Sequence, residues 1–172
     1  MGQSLMPLSS EEYREFFEQH IVEYAHEKSR AGHWKPEEAL DRSREVLHDF
    51  ITGEQGAWER GYRFFKGLDE TRQHVGWIWD GPIPKVIQPK PENACWLYQI
   101  TVKEPFRRRG YGRAMLQALE NLLQREDVAE LYLNVFRWNQ AAISLYDSMS
   151  YEMVGDYETE LRMKKRLAKG QL

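Results

Sequence analysis

Apolar residues recur at steps of three and four positions along several stretches of the chain, the spacing that puts side chains on one face of an α-helix. In the first stretch the repeated positions are Tyr13, Phe16, Phe17, His20, Ile21 and Tyr24. The second stretch opens at Pro36, a residue favoured in a first helical turn. The pattern predicts helices over residues 10–31, 36–51, 112–125 and 139–149.

Alternating apolar and polar positions between and after these helices predict β-strands. The strongest case is the run Trp96, Tyr98, Ile100 and Val102, which alternates with Leu97, Gln99 and Thr101. The predicted strands are residues 62–68, 74–79, 96–102, 130–136, 151–155 and 159–167. Glycines predict a loop over 53–61, prolines predict another over 80–93, and residues 168–172 are expected to fray.

The order of these elements narrows the fold class. Helices come first, then strands, and then a strand–helix–strand–helix succession that ends in two strands. A strand that follows a crossover helix pairs in parallel with the strand before it. The sequence therefore predicts a mixed α/β domain with one parallel pair, formed by residues 96–102 and 130–136.

Composition excludes several classes of protein. The 172 residues suit one domain over 1–172, and the single cysteine, Cys95, rules out an internal disulfide and favours a reducing, cytoplasmic setting. No apolar run approaches the ~20 residues that span a bilayer, and the N-terminus lacks a secretory signal pattern. With a net charge of -3, no nucleic-acid or membrane partner is expected.

Positive charge is concentrated in one place, the junction between the strand at 96–102 and the next helix. Residues 103–113 contain five basic residues and one acidic residue, together with Gly110 and Gly112. A helix N-terminus presents free N–H groups, so this junction predicts a phosphate or pyrophosphate site. A solvated turn and an RNA-binding arginine–glycine segment remain as alternatives. The spacing fits neither a Rossmann fingerprint nor a Walker loop.

Two motifs stand out in the second half of the chain. The first is Arg107-x-x-Gly110-x-Gly112 after the strand that ends at Val102, and the second is Asn139-x-x-Ala-x-x-Leu-Tyr146. Together they resemble the motifs of the GNAT superfamily of N-acetyltransferases. The N-terminal half, with Gly32-x-Trp34-x-Pro36, is similar to a Bacillus-type branch of small bacterial members. The resemblance implies a mixed, mostly antiparallel sheet with a splayed parallel strand pair and flanking helices.

The same resemblance implies a co-substrate, acetyl-CoA, and roles for individual residues. Backbone amides around Arg108–Arg113 would bind the pyrophosphate, and backbone groups of Ile100 and Val102 would pair with the pantetheine arm. Asn139 would hydrogen-bond near that arm, and Tyr146 would lie beside the thioester sulfur. The implied cofactor-binding residues are Ile100, Val102, Arg107, Arg108, Arg109, Gly110, Tyr111, Gly112, Arg113, Asn139 and Tyr146.

The implied reaction is attack by a primary amine of a small molecule or peptide on the thioester. A tyrosine hydroxyl can give a proton to the departing thiolate, so Tyr146 is the candidate acid. The base is open: some family members carry a glutamate on the strand before the arginines, but this strand has only the amide Gln99. Tyr98, His74 or a water chain are candidates.

Other interpretations remain open for the same residues. Tyr146 could be an ordinary core residue, and Asn139 could act as a helix N-cap. The whole domain could be a non-catalytic acyl-CoA sensor or scaffold, or the arginines could bind nucleic acid. The five histidines lack paired metal-ligand spacing, so no metal is predicted. A homodimer is compatible with the sequence, and the identity of the amine cannot be inferred from it.

Overall fold

A computed structural model describes residues 4–167, which separate into two compact units. The first, here called the sheet unit, comprises residues 4–7 and 63–167, and the second, the helical unit, comprises Leu8–Tyr62. The helices are α1 (Ser10–Arg30), α2 (Ala39–Val46), α3 (His48–Ile51), α4 (Glu54–Glu59), α5 (Tyr111–Arg125) and α6 (Gln140–Ser148). The strands are β1 (Ser4–Pro7), β2 (Arg63–Leu68), β3 (His74–Gly81), β4 (Ala94–Val102), β5 (Glu130–Phe136), β6 (Glu152–Asp156) and β7 (Glu160–Arg166).

The sheet unit is built on one seven-stranded sheet in the order β1-β2-β3-β4-β5-β7-β6. The pair β4–β5 is parallel, and the other neighbouring pairs are antiparallel. The predicted fold class, a mixed α/β domain whose parallel pair carries a crossover helix, is confirmed. That helix is α5, the long helix whose first turn follows the arginine-rich junction.

The core of the sheet unit lies between the sheet and one face each of α5 and α6. Met115, Leu116 and Leu119 of α5 are fully buried, as the helical spacing predicts. They pack with Leu131 and Leu133 of β5 in one apolar cluster. Because this cluster holds α5 rigidly against the sheet, the first turn of α5 has a fixed position beside the end of β4.

Helix α1 organises the helical unit. Ser9 and Glu12 form a reciprocal capping box at its start, and the predicted aromatic face is buried. The Tyr13 hydroxyl donates to the Phe50 carbonyl at 2.8 Å, and the Ser43 hydroxyl donates to the Ile21 carbonyl at 2.7 Å. These bonds tie the following short helices to α1.

Three predictions about elements are wrong. The helix predicted over 36–51 is two helices, α2 and α3, with a break at Leu47. The loop predicted over 53–61 contains α4, because the fully buried Ala57 anchors a helical turn that the glycines alone disfavour. Strand β1 was not predicted, since four residues ending in a proline carry no periodic pattern. The fraying expected at 168–172 concerns residues outside those described.

None of the helices within residues 4–167 combines the length and the apolar character needed to cross a bilayer.

Candidate functional site

Strands β4 and β5 separate after only four residue pairs. Their parallel pairing runs from Ala94 opposite Glu130 to Leu97 opposite Leu133, whereas β4 continues to Val102 along β3. The second half of β4 therefore borders β3 on one side and a gap on the other. This is the splayed parallel pair that the sequence motifs imply.

A bulge in β4 marks the vertex of this gap. Asp80 of β3 pairs with Leu97 and Trp79 pairs with Gln99, so Tyr98 is an extra residue on β4. The bulge changes which side chains face the core: Leu97 and Ile100 both pack there, although they are three positions apart. The predicted strict alternation of residues 96–102 is therefore wrong at Tyr98, where the bulge interrupts it, and it resumes over residues 99–102.

The peptide groups of Ile100 and Val102 face the gap. The Lys103 N–H donates to the Val75 carbonyl at 2.8 Å, so odd-numbered residues of this segment point their peptide groups to β3. Alternation along the strand turns those of Ile100 and Val102 the other way. In agreement, the Val102 carbonyl accepts a hydrogen bond from Arg107 Nε at 3.0 Å.

The backbone between β4 and α5 forms a tight, glycine-dependent turn. A single 3₁₀ turn over Glu104–Phe106 is followed by two left-handed residues, Arg108 with φ 61° and Gly110 with φ 84°. Gly110 is the N-cap of α5, and glycine adopts this conformation without the strain of a Cβ atom. Alternating backbone conformations of this kind turn successive N–H groups into one concavity, which favours an anion.

The arginine side chains of this turn are exposed, and three of them are held by neighbours. The Arg109 guanidinium lies over the Phe106 ring at 5.8 Å and over the Tyr111 ring at 5.4 Å. Arg113 donates to the Ser148 hydroxyl at 2.5 Å, which links α5 to α6, and Arg107 caps Val102 as described above. The positive charge is therefore preorganised at the start of α5.

Unlike position 110, position 112 does not need a glycine for its backbone conformation. A Cβ atom at this position would meet Leu145 at 3.5 Å and Val102 at 3.6 Å, which are ordinary van der Waals distances. The position is a point of contact between α5, β4 and α6, but its protein neighbours do not demand a glycine.

The second motif places Asn139 and Tyr146 on α6. Asn139 is the N-cap of this helix, because its Oδ1 accepts a hydrogen bond from the Ala142 N–H at 3.2 Å. Tyr146 is 5% exposed and belongs to the apolar core, with its ring centroid 5.5 Å from that of Tyr151. Burial raises the pKa of the Tyr146 hydroxyl above its usual value, so the group keeps its proton at neutral pH.

Tyr151 connects Tyr146 to a buried ionic group. Its hydroxyl donates to Glu120 Oε1 at 2.8 Å, and Lys165 donates to Glu120 Oε2 at 2.6 Å. Burial and the neighbouring Glu120 carboxylate raise the Tyr151 pKa. The network joins α5 to β7 and fixes the ring against which Tyr146 packs.

The side chains suggested by the sequence as a base are already hydrogen-bonded. The Tyr98 hydroxyl donates to the Pro82 carbonyl at 2.7 Å. The His74 ring contacts Lys103 Nζ through Nδ1 at 3.1 Å and the Gly76 carbonyl through Nε2 at 3.0 Å. Both side chains are therefore already engaged in hydrogen bonds within the protein. Gln99, the amide of this strand and not a candidate base, donates to the Thr101 hydroxyl at 2.9 Å.

Sequence reasoning missed a polar pair on the other side of the gap, formed by Asn134 of β5 and Glu160 of β7. Asn134 Nδ2 donates to Glu160 Oε2 at 3.2 Å. The two residues are far apart in the chain and meet only through the β5–β7 register. The signal available in the sequence was an asparagine within the mostly apolar residues 131–136.

Comparison with known proteins agrees with this geometry. The sequence model described as the acetyltransferase (GNAT) family matches residues 8–151. The "Uncharacterized N-acetyltransferase YycN" of Bacillus subtilis (strain 168) is 31% identical over 163 residues, 95% of this chain and 97% of that protein. The crystal structure of YycN superposes with a TM-score of 0.80 at 27% identity, covering 92% of this chain and 97% of YycN.

Two further proteins are similar over a shorter stretch or in fold alone. The [ribosomal protein bS18]-alanine N-acetyltransferase of Escherichia coli (strain K12) is 42% identical over 55 residues, 32% of this chain and 37% of that enzyme. The PaiA N-acetyltransferase of Thermoplasma acidophilum, crystallised with coenzyme A, has a TM-score of 0.62 at 19% identity, over 96% of this chain and 99% of that one.

Proposed function

Because the chain belongs to the acetyltransferase (GNAT) family, we propose that it transfers an acetyl group from acetyl-CoA to a primary amine of a small molecule or peptide. One observation carries the proposal. The gap between β4 and β5 runs from the N-terminal turn of α5 to a vertex at Leu97 and Leu133. An elongated molecule with phosphates at one end and a thioester at the other suits that shape.

The turn before α5 supports the proposed pyrophosphate site. Free N–H groups of the first turn, around Arg108–Arg113, would hold the diphosphate, and the four arginine side chains would add charge. The peptide groups of Ile100 and Val102 would pair with the amides of the pantetheine arm as a further strand does. A carbonyl has two lone pairs, so the Val102 carbonyl can accept a hydrogen bond from a pantetheine amide as well as the one from Arg107 Nε. Asn139 would contact the arm next to its N-cap bond.

Tyr146 is the proposed proton donor. Attack of the amine nitrogen on the thioester carbon breaks the carbon–sulfur bond, and the electron pair leaves on sulfur. The Tyr146 hydroxyl, kept protonated by burial, would protonate that sulfur. A thiolate expelled into the same buried surroundings is also desolvated, which raises its proton affinity and favours the transfer.

The acceptor is proposed only by class. The Escherichia coli relative acts, by its name, on the alanine of a ribosomal protein, which is compatible with a peptide amine here.

The family match extends over both units, which supports one catalytic domain across residues 1–172. We place the protein in the cytoplasm because its single cysteine, Cys95, is a buried free thiol. Assembly as a homodimer stays a prediction.

A non-catalytic acyl-CoA sensor is the second candidate, favoured by the lack of any carboxylate on β4, residues 94–102. Both candidates require cofactor binding, but only the enzyme releases thiol faster when an amine is added. If no amine in a panel accelerates thiol release while acetyl-CoA binds tightly, the sensor is favoured.

Calorimetric titration with acetyl-CoA tests the shared requirement. The double substitution Arg109→Glu and Gly112→Glu places two carboxylates at the pyrophosphate site, and we expect it to abolish measurable binding. The same pair of changes in the helical unit, at the exposed Arg44 (Arg44→Glu) and at Gly56 (Gly56→Glu), where an added Cβ would meet nothing within 4 Å, should leave affinity within about twofold. Unchanged affinity in the first variant would overturn the proposal.

A further inference from the structure

We propose that Glu160 of β7 binds the ammonium group of the acceptor and takes its proton, with Asn134 of β5 as the residue that positions it. This inference rests on the proposed function, and it supplies the base that β4 lacks. It also specifies the acceptor as an amine that arrives as a cation.

Asn134 lies at the vertex of the gap. It is the first residue of β5 beyond Leu133, where pairing with β4 ends. Leu133 and Val135 on either side of it are buried in the core that packs on α5. Side chains alternate along a strand, so Asn134 points to the opposite face of the sheet. Its amide therefore lies at the vertex on the face away from α5.

Two charged partners fix the orientation of the Asn134 amide. Arg162 Nε donates to Asn134 Oδ1 at 3.2 Å, and Asn134 Nδ2 donates to Glu160 Oε2 at 3.2 Å. The Arg162 guanidinium is itself held over the rings of Trp96 and Tyr157, at 5.6 and 5.0 Å. The amide thus stands between a fixed cation and the carboxylate, and it restrains the carboxylate beside β5.

Glu160 differs from the other two buried or half-buried carboxylates on the strands. Asp80 forms an ion pair with Arg63 at 2.6 Å, and Glu130 forms one with Lys164 at 3.0 Å. Within residues 4–167, the Glu160 carboxylate accepts its hydrogen bond from the neutral Asn134 amide. A half-buried carboxylate without an ion pair is a strong attractor for a cation, and alkyl amines are cations at neutral pH.

The cationic side chains near this end of β7 bind groups other than the Glu160 carboxylate. Arg162, on the same strand, is turned to Asn134 and to aromatic rings. At the β5–α6 corner, Arg137 forms an ion pair with Asp156 of β6, and its N–H donates to the Thr159 carbonyl at 3.0 Å. These cations have their own partners, so an incoming ammonium would be the direct cationic partner of Glu160.

The step balances with the acid already proposed. Glu160 takes one proton from the ammonium and later returns it to solvent. The freed nitrogen lone pair forms the bond to the thioester carbon, and the second nitrogen proton leaves to solvent. The carbon–sulfur bond breaks, its electron pair stays on sulfur, and Tyr146 protonates that sulfur and then regains a proton from solvent. Acid and base would then act from opposite faces of the sheet, with the gap between them.

The test uses n-butylamine and spermidine as acceptors and follows thiol release from acetyl-CoA between pH 7 and pH 10. We expect Glu160→Gln to lower kcat/KM about 100-fold at pH 7, a typical contribution of a general base. The deficit should shrink as the pH approaches about 10, where free amine forms without help. Acetyl-CoA affinity should stay within about twofold.

Matched variants separate a catalytic effect from a structural one. Glu152→Gln makes the same change at an exposed position of neighbouring β6 and should leave kcat/KM unchanged. Glu160→Asp should keep the pH profile of the wild type with a smaller rate loss, because a carboxylate remains. Asn134→Ala should lower kcat more than it raises KM, as expected if the carboxylate loses its orientation.

The outcomes are distinguishable. If neither amine accelerates thiol release by the wild type while acetyl-CoA binds, the proposed transfer to small primary amines fails and this inference fails with it. If both amines react and Glu160→Gln matches the wild type at every pH, Glu160 has no such role, although the transferase function stands. A rate loss in Glu160→Gln that is equal at pH 7 and pH 10, and shared by Glu160→Asp, would indicate a structural effect and overturn the inference.

Discussion

The proposed cofactor site at the α5 end of the gap depends on the backbone, whereas the proposed acid and base depend on side chains from separate elements. The α5 end is a continuous run, residues 103–113, whose peptide N–H groups and left-handed residues form the proposed anion site. The proposed acid is Tyr146 of α6, and the proposed base is Glu160 of β7, positioned by Asn134 of β5. The first end should tolerate changes of side chain better than changes of backbone, and the second should show the reverse.

The largest expected effect is at the vertex. Tyr146→Phe should lower kcat by about two to three orders of magnitude, the range of general acid catalysis, and leave acetyl-CoA affinity within about twofold. Steady-state thiol release and calorimetric titration check the two halves of this prediction. Because burial raises the Tyr146 pKa, the wild-type rate should not fall between pH 7 and pH 10.

Tyr62→Phe in the helical unit is the control for loss of a hydroxyl and should leave kcat unchanged. A Tyr146→Phe variant with full turnover would reduce Tyr146 to a core residue and remove the acid from the vertex.

The two ends of the gap can be compared only while the protein is folded, and burial of His20 limits folding stability at low pH. This residue is 7% exposed and stacked between Phe16 and Tyr24 on α1, at 5.5 and 5.8 Å. Burial lowers its pKa from 6.5 to about 4. The unfolded chain binds the proton more readily, so stability is full above pH 6.5 and is lost as the pH falls towards 4. The loss should reach about 3 kcal/mol.

Urea unfolding at pH 7 and pH 4.5 measures that loss. His20→Phe keeps an aromatic ring in the stack and should remove about 3 kcal/mol of the pH dependence, whereas His26→Gln at an exposed position should not. An identical pH dependence in wild type and His20→Phe would contradict the assignment to His20.

The α5 end should respond to the backbone. Gly110→Ala forces a Cβ onto a residue with φ 84°, at a strain of about 1–2 kcal/mol. We expect acetyl-CoA affinity to fall about tenfold, with kcat at saturating acetyl-CoA unchanged.

Gly32→Ala carries the same kind of strain in the helical unit, since Gly32 has φ 73°. It should lower thermal stability without changing acetyl-CoA affinity. Equal affinity in Gly110→Ala and the wild type would show that the turn is not the phosphate site.

The smallest expected effect tests a side chain at the same end. Ser148→Ala removes the hydroxyl that holds Arg113 and should weaken acetyl-CoA binding only about twofold to threefold, as for one exposed polar partner. Ser144→Ala, at an exposed position of the same helix, is the control. If Ser148→Ala lost more acetyl-CoA affinity than Gly110→Ala, the claim that binding at the α5 end depends mainly on the backbone would be contradicted.

The same distinction explains what could be predicted from sequence. The turn at 103–113 and the N-cap role of Asn139 are local, and both follow from residues a few positions apart. The bulge at Tyr98 depends on the pairing of β4 with β3, so the strict alternation expected over 96–102 is interrupted there. Glu160 meets Asn134 through the β5–β7 register, which no local pattern encodes. Helix α4 was missed because buried Ala57, rather than propensity, stabilises it.

Residue-resolved hydrogen exchange with and without coenzyme A tests most directly whether the gap beside β4 holds the pantetheine arm. The N–H groups of Ile100 and Val102 face the gap, whereas those of Gln99 and Thr101 point to β3. Coenzyme A should slow exchange at Ile100 and Val102 at least about tenfold, as new hydrogen bonds do, and leave Gln99 and Thr101 nearly unchanged. Binding of coenzyme A with unaltered exchange at Ile100 and Val102 would contradict the account.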